Sequence, residues 1–161
     1  MQGADSLFVL AEISIGLAGF TGITAALYAR GTWHPHDTWR AVSLLVMSFG
    51  ALAFALTPYG LLSIGVPDAA LWRISSAAFV VYTVIGAVAA VRFQPPDASS
   101  VPSYRVIGLI MWAVSSLNMV AQVLNALGVF PTPFGVYYIG LVVLLLLGGF
   151  QFAVLILIRP S

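Results

Sequence analysis

The chain has 161 residues, 61% of them hydrophobic and 7% charged, with a formal net charge of +1. Soluble domains carry roughly 25% charged residues, so a water-soluble fold is excluded. There is no Lys, no basic cluster and no Cys, which sets aside nucleic acid as a partner, disulfides and thiolate chemistry.

The first predicted element is Ser6–Tyr28. A transmembrane helix needs about 20 mostly apolar residues, and this run supplies them around a single acid, Glu12. Met1–Ser6 has no positively charged region, so the run reads as a span and not as a cleaved signal. A carboxylate in hydrocarbon is costly unless it is protonated, paired or wetted. Glu12, Gly16 and Gly19 fall on one helix face, while Ser14, Ala18, Thr21 and Ala25 make a second small face. Small residues let helices approach closely in lipid. The expectation is a helix packed on more than one side, central in the fold or in an oligomer, with Gly16, Gly19 and Gly22 as packing positions. The pattern Glu12-x-x-x-Gly16-Leu17-Ala18-Gly19-Phe20-x-Gly22-Ile23 resembles the opening helix of small bacterial multi-pass membrane proteins that have no assigned activity. The resemblance covers one helix of five. It implies a multi-pass protein of a bacterial inner membrane and no reaction, ligand or site.

Arg30-Gly31 and Pro35 then break the chain. His34, His36 and Asp37 are suitable ligand types, but Pro35 stiffens the segment and no fourth ligand is nearby, so no metal is expected. The second span is Ala41–Ser63, with a kink expected at Pro58. Gly65 and Pro67 lead to the third, Ala69–Val91, which carries Arg73 near its start. Pro95-Pro96 and Pro102 precede the fourth, Val106–Leu127. There Ser115, Asn118, Gln122 and Asn125 form one polar stripe. Such a stripe either binds a neighbouring helix or lines a polar path. Gly128, Pro131 and Pro133 precede the fifth span, Gly135–Ile158.

The fold expected is an all-α antiparallel bundle of five transmembrane helices. Placing the N-terminus outside puts Arg30, Arg40, Arg92, Arg105 and Arg159 inside and only Arg73 outside, which satisfies the positive-inside rule. Trp33, Trp39 and Tyr104 then mark the inner interface, and Trp72, Tyr137 and Tyr138 the outer one. Glu12 lies about 9 Å below the outer boundary at 1.5 Å per residue. Gln122, Asn125, Arg73, Tyr59 and Tyr138 share that layer. Glu12 therefore either pairs with Arg73 or stands alone while Arg73 reaches the headgroups.

No His lies in any span, no acidic pair lies in the membrane and no phosphate loop is present, so no enzyme and no cofactor are expected. The connections are too short to hold another domain. The leading expectation is a homo-oligomeric channel for small ions, lined by Glu12 and the Ser115–Asn125 stripe. The alternatives are a structural or accessory subunit of a larger membrane complex and a small proton-coupled carrier.

Overall fold

The computed structural model describes residues 3–28, 35–94 and 102–157. Arg30, Gly31, Trp33, His34, Pro95, Pro96 and Arg159 lie outside the described residues, as do the side chains of His36, Tyr104 and Arg105. Five helices follow in order: α1 (Ala4–Tyr28), α2 (Pro35–Ser63), α3 (Asp68–Phe93), α4 (Pro102–Ala126) and α5 (Pro133–Leu157). All five contain a stretch long and apolar enough to cross a membrane. There is no strand among the described residues.

The helices overrun the apolar runs at their starts. α2, α4 and α5 each begin on a proline. Proline is favoured at the first helical position, because its missing N–H has no intrahelical partner there anyway. Asp37 and Asp68 sit in the first turns of α2 and α3, where the helix dipole favours a negative charge.

Neighbouring helices run antiparallel. Phe8 near the start of α1 stacks on Tyr59 near the end of α2, with ring centroids 4.6 Å apart. Tyr82 in the later half of α3 donates to the Val46 carbonyl in the earlier half of α2. Arg73 near the start of α3 binds the end of α4. Gln151 near the end of α5 meets Met111 near the start of α4.

Helices α2, α3, α4 and α5 form a four-membered ring in which α2 and α4 stand on opposite corners. α1 packs outside it, against α2 and α5. Within the chain α1 is thus peripheral, and only one of its two small faces packs. Ser14 and Thr21 are buried with Leu7, Leu10 and Ala11. Gly16, Gly19 and Gly22 lie on the other side, and a Cβ added at any of them would meet nothing within 4 Å. The expectation that these glycines are packing positions is corrected for the single chain.

The apolar core joins Leu7 and Leu10 of α1, Ala51 and Ala55 of α2, Leu71, Trp72 and Phe79 of α3, and Tyr137, Leu141, Leu144 and Leu145 of α5. Among the described residues, none of α4 belongs to it. The fully buried side chains of α4 are Gln122 and Asn125. Large apolar side chains of this helix, Leu109 and Leu117 among them, face outward.

Helix α2 continues past Pro58 to Ser63. Proline has no N–H, so the carbonyl four residues back, that of Phe54, loses its helical donor. The Tyr137 hydroxyl takes the place of that donor, at 2.6 Å.

Candidate functional site

Three polar features stand out, and each uses residues singled out by sequence. The first is the α4 stripe. Asn118 donates to the Gly140 carbonyl at 3.2 Å, and Gln122 donates to the Val136 carbonyl at 2.9 Å. Asn125 donates to the Pro133 carbonyl at 2.9 Å and to the Ser76 hydroxyl at 2.8 Å. Ser76 in turn donates to the Gln122 side-chain carbonyl at 3.0 Å. The three carboxamides thus form a ladder tying α4 to α5, with Ser76 of α3 as its cross-piece. In this arrangement they hold helices together.

Gly140 makes the ladder possible. A Cβ there would stand 2.2 Å from Gln122 Nε2 and 3.0 Å from Asn118 Oδ1. Only a residue without a side chain lets the two carboxamides lie against α5. Ser115, the first residue of the stripe, takes no part in the ladder. It is half-buried and faces the cavity described below.

The second feature is Arg73. Helix α4 ends in a turn at Gly128, whose φ is +79°, in the left-handed region. The Gly128 N–H bonds the Asn125 carbonyl and the Val129 N–H bonds the Leu124 carbonyl, both at 3.0 Å. That pairing satisfies two of the carbonyls left free at a helix end. Arg73 satisfies the next two, with Nε 3.0 Å from the Ala126 carbonyl and Nη2 3.3 Å from that of Leu127. A cation here also complements the negative end of the helix dipole. Arg73 is therefore a cap on α4. The Glu12–Arg73 pairing weighed from sequence is absent among the described residues, where the guanidinium is held by the end of α4.

The third feature is Glu12. Its side chain is exposed on the outward face of α1, one turn from Gly16. It has no hydrogen bond or ion pair among the described residues. The shared layer expected from sequence thus divides into three environments. Gln122 and Asn125 are inside the bundle, Arg73 is at its end, and Glu12 is on its outer surface. Tyr59 belongs to none of these, since its ring covers Phe8. Tyr138 stacks on Phe134, with centroids 5.8 Å apart.

At the opposite end of the bundle the ring of helices opens around a cavity of about 390 Å³. Trp39, Arg40 and Gln94 stand at its mouth and Met47, Ser115 and Leu144 at its inner end. Residues of α2, α3, α4 and α5 all contribute to its walls. Glu12 is not among its lining residues. Among the described residues no group of His, Asp and Glu is placed to hold a metal ion.

Sequence reasoning missed Ser76, Gly140 and the hydroxyl of Tyr137. Each had a faint signal. Ser75-Ser76 is a polar pair in an apolar helix, Gly140 interrupts one, and Pro58 frees a carbonyl that needs a donor. No family model, no curated protein and no solved structure matches the chain.

Proposed function

We propose that the chain is a homo-oligomeric membrane channel for small ions, joined through the outward face of α1, with Glu12 lining the path between subunits. The observation that supports this is the position of Glu12. An acid stands exposed on a helix long and apolar enough to cross a membrane, beside Gly16 and Gly19 that touch nothing in their own chain. Acids inside membranes face the protein interior or water, because hydrocarbon does not solvate them. A second copy brought against the glycines would supply that cover. A ring of acids in a pore then favours cations.

In this reading the N-terminus is outside, in a bacterial inner membrane, and the amide ladder serves only the bundle. The alternative of an accessory subunit uses the same face against a different protein. It is favoured by the same ladder, which engages Asn118, Gln122 and Asn125 inside the chain and so takes them out of the candidate lining. A proton-coupled carrier is less well supported, since its acid belongs in a cavity and Glu12 lies outside the one found.

The test is conductance of purified protein in planar bilayers. The expected result is cation-selective current that falls several-fold in Glu12→Gln. Absence of current, or current indifferent to that substitution, would overturn the channel. A clean homo-oligomer in mild detergent would exclude the accessory reading.

A further inference from the structure

We infer that the cavity between α2, α3, α4 and α5 is a lipid site that takes one acyl chain of an anionic phospholipid from the surrounding bilayer. The inference rests on the membrane-spanning reading of the helices and not on the channel reading.

Its length matches. Arg40 lies close to the start of the apolar stretch of α2, which begins at Asp37, and Gln94 lies just past the end of that of α3, at Phe93. At 1.5 Å per residue, Met47, Tyr82 and Ser115 stand roughly 13–17 Å inside the ends of their spans. A bilayer's hydrocarbon core is about 30 Å thick, so each leaflet is about half that. The cavity thus runs from one membrane interface to near the midplane, the depth of a single acyl chain. Its volume of about 390 Å³ falls within the range of small-molecule sites, roughly 300–1,000 Å³.

Its chemistry is graded in the same direction. The inner walls are Met47, Leu144 and Leu147, with the ring of Tyr82 and the small side chain of Ser115. The mouth carries the Arg40 guanidinium, the Gln94 carboxamide and the Trp39 indole. Arg40 already makes a contact within the chain, and a guanidinium has five N–H donors, enough to bind a phosphate as well. Between mouth and floor lies Gln151, which is 9% exposed. The one hydrogen bond of its carboxamide among the described residues runs to the Met111 sulfur at 3.3 Å. Thioether sulfur is a weak acceptor. Gln151 is a buried carboxamide that lines the cavity roughly 8 Å inside the end of the α5 span at 1.5 Å per residue.

Two glycines allow the cavity to be filled without disturbing the bundle. Gly86 on α3 and Gly108 on α4 both line it, and a Cβ at either meets nothing within 4 Å. Leu at either position grows into the open space.

The test uses the full chain in phosphatidylcholine vesicles doped with phosphatidylglycerol carrying a photoreactive diazirine near the end of one acyl chain. Peptide mapping should find the label on Leu144, which is 7% exposed and out of reach of bulk lipid. That label should be lost in both Gly86→Leu and Gly108→Leu, while labelling of outward-facing Leu109 and Leu117 continues. The same diazirine on phosphatidylcholine should label Leu144 several-fold less, and Arg40→Gln should remove that preference. No label at Leu144 in the unaltered chain, or label that persists in both filled variants, would overturn the site. Equal labelling by the two headgroups would overturn its anionic assignment.

Discussion

Tyr137 donates its hydroxyl proton to the Phe54 carbonyl at 2.6 Å, the carbonyl that Pro58 leaves without a helical donor. The proline of one helix and the phenol of another form one unit. Its ring is fully buried against Trp72 and Phe79, with centroids 5.8 and 6.2 Å away. Unsatisfied carbonyls are costly in an apolar interior, so this bond keeps a proline-containing helix intact beside a fully buried ring.

The pairing predicts non-additive stability. Tyr137→Phe removes the donor and should cost about 1–3 kcal/mol. In a Pro58→Ala background the restored N–H reaches the Phe54 carbonyl, and the same Tyr137→Phe change should cost much less. Unfolding in mixed detergent and SDS micelles, run as a double-mutant cycle, measures this. Equal costs in both backgrounds would contradict the pairing.

The amide ladder should be sensitive to one methyl group on the facing helix. Gly140→Ala places a Cβ 2.2 Å from Gln122 Nε2, so that carboxamide must turn away from Val136. Overpacking of this kind costs about 1–3 kcal/mol. The same measurement of unfolding checks it. Because no described residue of α4 lies in the apolar core, the loss should appear first as protease cleavage releasing α4, before the rest unfolds.

Arg73 should behave as a cap and not as a partner of Glu12. Arg73→Gln should destabilise by about 1–2 kcal/mol through the loss of two bonds at the end of α4. Gly128→Ala should cost about 1–2 kcal/mol from its left-handed backbone. Its Cβ would also press on the guanidinium at 3.2 Å. Glu12→Gln should leave stability unchanged. A loss of stability in Glu12→Gln that vanishes in an Arg73→Gln background would contradict this assignment.

The five helices were legible because apolar length and Pro or Gly punctuation are strong signals. The starts were shifted, since Pro35 and Pro102 begin helices instead of preceding them. The one-sided stripe of Asn118, Gln122 and Asn125 was legible from spacing. Its partners were not, because they are backbone carbonyls of α5 and the small hydroxyl of Ser76. The direction of Glu12 was not legible either. In lipid both faces of α1 are small or apolar, so periodicity does not separate the packed Ser14–Thr21 side from the exposed Gly16–Gly19 side. The cavity is walled by four helices, a tertiary arrangement that no local pattern encodes.

The central claim is that the Glu12 face of α1 meets its own copy. The chain has no Cys, so a single introduced thiol reports cleanly. Gly16→Cys, oxidised in native membranes, should give a covalent dimer, because glycine-faced helices bring Cα atoms within the 4.4–6.8 Å that a disulfide spans. Leu117→Cys on α4, 73% exposed but on another side of the bundle, should not. No dimer at Gly16→Cys, or equal dimer at both positions, would contradict the account.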